Sequence, residues 1–578
     1  MTESINQIDK VLLSPDQIKG QVLDHHGLMA AVLKKIKLAE LIDEAMPVNK
    51  KAGAKLTNGQ KGSAIILNGL GYMNDRLYMF PKFMENKPIA RLFDDSTIRA
   101  EYFNDDAIGR HLDDVKEYGV TKLFSSIAFA IGARFDLLGR TARFDTSTLS
   151  VHGEYAVDEE LLKAQEAVAA LKGVEVEKPI NVTYGYSKDH RQDLKQVTIL
   201  LCTTGASSFP VWMEAHDGNA SDKTKLQEAA SRMKAVCDQV KEMPSFIYVG
   251  DSAMYEACVK DGDNLRWLSR VPCSIKKAKE MQGLSDDKIK WEKSKRDCRY
   301  KFCEFKAGYG GVQQRWLLVF SEPAYKLEVQ TLEKNVLKEQ TAMTKILKKL
   351  SHKAFFCVKD AEKYFRDHIE KEAKYHDIEY TVNAVMKHKS SGRPKKGTKP
   401  KKVEKYHIES TLKKSESKIE AEQITKGRFI LATNELNKAR LSKEDMLFEY
   451  KQQSKTECGF RFIKNNAFHV SSIFLKNPGR IEALMMYMTL SLMVYSLGQM
   501  ILRQALEESQ EMVLDQLGKP TRTPTLIWIC RQFHGVQVLK ISFGTHSQEL
   551  VSNLNNLTKR IIGHFGEEAE KIYGLAEA

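Results

Sequence analysis

Twenty consecutive residues from Ala483 to Leu502, ALMMYMTLSLMVYSLGQMIL, carry no formal charge. A helix apolar on every side has to be surrounded, either by lipid or by the middle of a large protein. The stretch is long enough for a bilayer span, yet it holds Thr489, Ser491, Ser496 and Gln499, is rich in Met, and has no second span to accompany it. A buried core helix is therefore the favoured reading, with no membrane partner. That reading needs a chain large enough to wrap the helix, and 578 residues, 42% of them hydrophobic, suffice for more than one core.

The formal charge is +14 with both signs mixed among the 28% of charged residues, so the excess is a bias on an ordinary surface. A polyanionic partner follows, with nucleic acid ahead of membrane. The nine cysteines all lie between Cys202 and Cys530 and include no C-x-x-C pair. A disulfide framework and a zinc knuckle are disfavoured, and a reducing compartment is expected. The polar start, MTESINQIDK, lacks the order of a signal peptide, so export is not expected and a cytoplasmic location is. There is no Walker loop, no G-x-G-x-x-G after a strand and no H-E-x-x-H, and the fifteen histidines show no ligand spacing. No nucleotide cofactor is expected.

Residues 1 to 130 show apolar positions three and four apart, as in GLMAAVLKKIKLAELIDEAM, and predict a helical N-terminal domain. Within it FNDDAIGRHLDDVKEYG fits either a helix-turn-helix element that binds DNA or a helix hairpin that only packs. From 137 the pattern changes to short apolar runs. TARFDTSTLSV, QVTILLCTT and FPVWMEAHDGN predict three strands, SDKTKLQEAASRMKAVCDQVKEM a helix, SFIYVGD a strand, MYEACVKDG a helix and LRWLSRVP a strand. This is an α/β sheet domain over 137–275. A segment over 276–425 interrupts it, with strands in YKFCEFKAGYGG and QRWLLVFSE and a long charged helix from Leu327. Between Lys387 and Lys405 it carries nine Lys or Arg against one Glu, an exposed low-complexity run. GRFILATNEL restores a strand, and 426–578 then reads as largely helical.

Asp145 lies in the first of these strands and Asp251 ends the apolar run from Phe246 to Val249. A carboxylate at the end of a strand faces the crevice where open α/β sheets place ligands, although caps and turns also use Asp. A third carboxylate, Glu457, stands in YKQQSKTECGFRFIK, where Tyr450, Glu457 and Lys464 are spaced by seven. On a helix they share one face, drifting by only about 20° per step. Gln453 and Arg461 join that face. Spacing alone leaves two readings, a site presenting one carboxylate among cations, or a solvated face with pairs such as Glu457 with Arg461.

The spacing Y-(2)-Q-(3)-E-(6)-K from Tyr450 to Lys464 resembles the Y-(2)-R-(3)-E-(6)-K signature of a large branch of bacterial insertion-sequence DDE transposases. RFDTS around Asp145, GYSKDHR from Gly185, YVGDSAM around Asp251 and GRFILATN from Gly427 resemble members with an extra helical N-terminal domain. The chain departs from the signature at Gln453, where the family has Arg. The resemblance implies a ribonuclease-H-like core interrupted by a mainly β insertion, which fits the 206 residues between Asp251 and Glu457. It implies that Asp145, Asp251 and Glu457 are catalytic and hold two divalent cations, Mg2+ or Mn2+, with Asp145 bridging. Carboxylate oxygens suit such hard ions, and two of them about 4 Å apart clamp an in-line displacement at phosphorus.

The implied function is a transposase that cleaves the ends of an insertion sequence to free 3′-hydroxyls and joins them to target DNA. The implied partners are double-stranded DNA and a second copy of the chain in a homodimer. Tyr450, Arg461, Lys464, Lys188 and Arg191 would contact DNA, with His190 a further phosphate partner. Asp189, Asp193, Asp217 and Asp222 read as turn or cap residues, and Glu482 as a helix start. Two other classes compete: a ribonuclease-H-like nuclease without strand transfer, and a catalytically silent DNA-binding protein derived from a transposase.

Overall fold

A computed structural model describes residues 17–48, 53–71, 79–152, 155, 179–240, 243–262, 264–388, 402–464, 475–543 and 546–576. The chain forms two compact units, one of Met1–Trp267 with Glu449–Ala578, the other of Leu268–Phe448.

The first unit is built on four strands in the order Phe209–His216, Lys195–Thr204, Thr141–Val151, Ile247–Gly250. The first three form an antiparallel meander and the fourth runs parallel to Thr141–Val151. Ile199, Leu200, Leu201 and Cys202 are buried in succession, so both faces of the sheet are covered and the usual in-out alternation is lost. The helix Val120–Arg134 packs on the Phe209–His216 strand, and Asp222–Cys237 follows the meander.

The uncharged stretch lies in the helix Pro478–Glu508, capped by Asn477, whose Oδ1 accepts from Gly479 and Arg480 N–H. By length and composition this helix could cross a membrane, yet 67% of its most apolar window is buried inside the protein. It is a core helix. The helices His26–Lys35, Asn58–Gly69 and Asp105–Tyr118 pack against it. Close approach requires Gly62, where an added Cβ would stand 2.9 Å from Tyr487 Oη. The same hydroxyl meets His111 Nε2 at 2.6 Å, and Asn58 Oδ1 meets His111 Nδ1 at 3.0 Å, satisfying a polar group carried into the core. The helices up to Arg134 thus belong to the same compact unit as the sheet.

Two stretches differ from the helical expectation. Ile18–Val22 is a strand, and it pairs antiparallel with Gln537–Phe543, which pairs with His546–Ser552. The two ends of the chain therefore meet in one three-stranded sheet, a pairing that no local periodicity could report.

The second unit begins at Leu268, within the strand Trp267–Arg270, after which Arg428–Thr433, Val312–Ser321, Tyr300–Tyr309 and Glu292–Lys293 lie in that order, every pair antiparallel. The 30-residue helix Glu322–Ser351 leads to Val358–His368 and to a hairpin of His376–His388 with Lys402–Lys414. Met343, Leu347, Phe355, Phe365 and Ile408 form a small core between them. The basic run finishes both hairpin strands, His388 opposite Lys402, and its residues 389–401 lie outside the described residues.

Candidate acidic site

Ten of the eleven residues of Thr141–Val151 are apolar, hydroxylated or Arg143, and Asp145 is the lone carboxylate among them. Its strand is parallel to Ile247–Gly250 with Arg143 opposite Val249. Continuing that register by two residues sets Asp145 level with Asp251, at the carboxyl end where the neighbouring strand stops. Asp251 caps the helix Ser252–Lys260, its Oδ1 accepting from Ala253 N–H at 2.9 Å. The turn needs Gly250, because a Cβ there would stand 2.5 Å from Met254 Sδ.

Glu457 is exposed on the helix Lys443–Ile463. From Glu449 onward that helix is fastened to the sheet along one stripe. Glu449 Oε2 accepts from Arg143 Nη2 at 2.8 Å and from Thr141 Oγ1 at 2.6 Å. Gln453 Nε2 donates to Phe144 O at 3.3 Å, and Thr456 Oγ1 meets Thr203 Oγ1 at 2.7 Å in a buried contact. Positions 449, 453 and 456 are the i, i+4, i+7 face. Tyr450, Glu457 and Lys464 form the adjoining stripe, one residue further round.

The three carboxylates share a field. Asp145 has its pKa raised from 3.8 to about 6, first by burial; the nearby Lys188 and the Thr146 N–H lower it, while Asp251 and Glu457 raise it further. Mutual repulsion of this kind is what a bound cation relieves, and an all-carboxylate set has the donor chemistry for Mg2+ or Mn2+. Among the described residues, however, no three His, Cys, Asp or Glu side chains are grouped closely enough to hold an ion. The electrostatics fit a metal, and the spacing in this structure is wider than coordination.

The cations expected to meet DNA are mostly engaged. Lys188 Nζ donates to Thr146 O and Oγ1, both at 2.7 Å. Arg191 pairs in two-pronged fashion with Asp193, at 2.9 and 2.8 Å, and Lys464 with Asp189, at 2.7 and 2.8 Å. Arg461 is exposed and donates to Cys458 Sγ; Tyr450 is half-buried. Asp217 accepts from Asn181 N–H in a turn, and Asp222 opens a helix after Ser221. Glu482 is buried, bonded to Lys116 Nζ at 2.8 Å and to Ile180 N–H at 3.0 Å. Trp316 is fully buried core in the second unit.

Two groups of residues at the site went unread in the sequence. Thr141, Arg143 and Glu449 anchor the glutamate helix; Arg143 stands in RFDTS, and its charge inside a strand was a signal. Tyr184 and Tyr186 are exposed beside the loop that reaches Asp145; the alternation Y-G-Y was the signal there.

Residues 18–129 match a family model described as a domain of unknown function (DUF4277). No curated protein matches the chain. Among solved structures the chain is similar to a piggyBac transposase in a synaptic complex with hairpin DNA, at 9% identity over 88% of this chain and 79% of that one, with a TM-score of 0.34. A similarity that slight leaves the functional reading to the residues themselves.

Proposed function

We propose that this protein is a metal-dependent DDE transposase of bacterial insertion-sequence type. In this reading 137–275 and 426–578 make a ribonuclease-H-like catalytic core, 276–425 is an insertion domain, and 1–130 is an N-terminal domain that helps bind DNA. What carries the reading is the parallel register of Thr141–Val151 on Ile247–Gly250, which when continued by two residues sets Asp145 level with Asp251, together with the field of Asp251 and Glu457 acting on Asp145. The Y-(2)-Q-(3)-E-(6)-K spacing supports it independently.

Asp145, Asp251 and Glu457 would hold two divalent cations, which when bound supply charge stabilisation for phosphodiester cleavage and strand transfer. The chain's own contribution is placement. The sheet fixes two carboxylates relative to each other, and the bonds from Glu449, Gln453 and Thr456 hold the third on a helix that cannot slide along the strand. Lys188 lies close enough to Asp145 to favour its charged form. Duplex DNA ends are the substrate, and a homodimer is the working form.

The test is incubation of the protein with a duplex carrying the element's end, in Mg2+ or Mn2+, beside a gel shift on the same DNA. Metal-dependent nicks and joined products are expected, lost in Asp145→Asn, Asp251→Asn and Glu457→Gln with binding retained. Full cleavage by any one variant removes that residue from the site. Nicks without joined product would make the protein a nuclease, and metal-independent cleavage would overturn the mechanism.

A further inference from the structure

Tyr184 and Tyr186 are 58% and 78% exposed, while the backbone beneath them is tightly held. Gly185 between them has no room for a side chain: an added Cβ would stand 2.2 Å from Gly218 O and 2.6 Å from Gln196 Nε2. Gln196 is itself buried, donates to Gly218 O at 2.6 Å, and exchanges main-chain bonds with Thr183 at 2.9 and 3.3 Å. On the far side Ser187 is 2% exposed, and its Oγ accepts from the N–H groups of Asp189 and Arg191 at 3.3 and 3.1 Å. Lys188 N–H then donates to Thr148 Oγ1 at 3.0 Å, three residues along the strand from Asp145. The backbone that carries the two exposed phenol rings is thus held on both sides, on the loop whose Lys188 reaches the strand of Asp145.

Tyrosines carried on a held backbone have only two side-chain torsions left to order when they bind, so their exposed faces are suited to a planar partner. The charged groups of the same loop have less to offer. Lys188 turns inward, Arg191 is paired with Asp193, and Asp189 with Lys464. The ligand is therefore met by aromatic faces more than by charge. In duplex DNA the faces of the bases are covered by their neighbours, and only an unpaired base has one to present.

We infer that Tyr184 and Tyr186 form a stacking platform for unpaired bases of the DNA strand that enters the acidic site. The inference rests on the DNA-processing reading of that site and adds that its substrate is opened there.

The test uses the full chain in EDTA, with twelve-nucleotide oligo(dT), a blunt duplex of the same length, and a single strand carrying 2-aminopurine. The native protein should bind the single strands and change 2-aminopurine fluorescence. The double variant Tyr184→Ala/Tyr186→Ala should bind oligo(dT) about tenfold or more weakly, the loss expected for one or two stacked bases, with duplex binding unchanged. Tyr184→Phe/Tyr186→Phe should behave as native, because the ring faces remain. Native-like oligo(dT) binding by the alanine variant, equal loss on duplex and single strand, or no single-strand binding by the native protein would each overturn the platform. Metal-dependent cleavage is read separately: its absence removes the transposase reading while the stacking result stands, and its presence beside a failed stacking result removes only the platform.

Discussion

Gln453 donates its side-chain amide to the main-chain carbonyl of Phe144, 3.3 Å away and one residue before Asp145. It stands where the resembling transposases have Arg. A buried amide serves here as a strut between the glutamate helix and the strand, a task that needs a donor and no charge. Gln453→Leu should cost about 1–2 kcal/mol of stability by leaving Phe144 O short of a partner. It should cost proportionally more in cleavage, because a displacement of Glu457 by about 1 Å is worth on the order of a hundredfold. Thermal melts and a cleavage assay check this; native values in both would show that the strut is idle.

Asp145 makes a prediction with a definite sign. Its folded pKa of about 6 lies above its ordinary value of 3.8, so the native state binds the proton more tightly than the unfolded chain. Stability from this group therefore falls as pH rises from 3.8 to 6, and at pH 7 the charged carboxylate is a net cost. Without metal, Asp145→Asn should be more stable than native at pH 7.5, by roughly 1–2 kcal/mol after allowing for solvent screening, and the gain should vanish near pH 3.5. Adding Mn2+ should reverse the order at pH 7.5 by stabilising the native protein alone. Melting curves at the two pH values, with and without metal, decide the matter, and a native protein indifferent to Mn2+ would count against the metal site.

Glu482 is a structural acid. Its carboxylate holds Lys116 Nζ and Ile180 N–H in the interior of the first unit. Glu482→Gln removes the carboxylate charge that faces Lys116 Nζ and should cost about 3 kcal/mol. Below the lowered melting temperature the variant should still cleave DNA. Lost cleavage with unchanged stability would make Glu482 a catalytic candidate in place of a structural acid.

The basic run between Lys387 and Lys405 should bind duplex through phosphates without reading sequence. Each phosphate contact removed lowers the magnitude of the log-affinity against log-salt slope by about 0.9. Deleting 389–401 should therefore weaken binding to specific and random duplexes alike and flatten the slope. A slope equal to that of the full chain would reduce the run to a solvated linker.

Acid should unsettle the core helix. Burial lowers the pKa of His25 from 6.5 to about 4 and that of His111 from 6.5 to about 3. The unfolded chain therefore takes up protons first as pH falls below 6.5, and stability is lost from there down to the folded values. Each histidine contributes a slope of up to about 1.4 kcal/mol per pH unit in that window. Urea unfolding at pH 7.5, 5.5 and 4.5 should show the decline, and His111→Asn should lessen it. A flat profile over this range would mean that water or a charge already stabilises the imidazolium.

Local chemistry marked several of the elements. TARFDTSTLSV coincides with Thr141–Val151, QVTILLCTT lies within Lys195–Thr204, FPVWMEAHDGN overruns Phe209–His216 by three residues, and ALMMYMTLSLMVYSLGQMIL lies within Pro478–Glu508. Period and burial are properties of neighbouring residues, so such segments can be read one at a time. The three acidic residues were singled out by the resemblance, because type and spacing alone left two readings open. What required the tertiary structure is whatever depends on residues far apart in the chain. The strand Ile18–Val22 exists because Gln537–Phe543, more than 500 residues later, supplies its hydrogen-bonding partner. The bond from Gln453 to Phe144 spans 309 residues and that from Glu449 to Arg143 spans 306. Register between Asp145 and Asp251, and the exposure of Tyr184 and Tyr186 above a packed Gly185, likewise arise only when separate segments meet. Contact energies set these features, and contact energies belong to pairs of segments that the order of residues along one segment does not bring together.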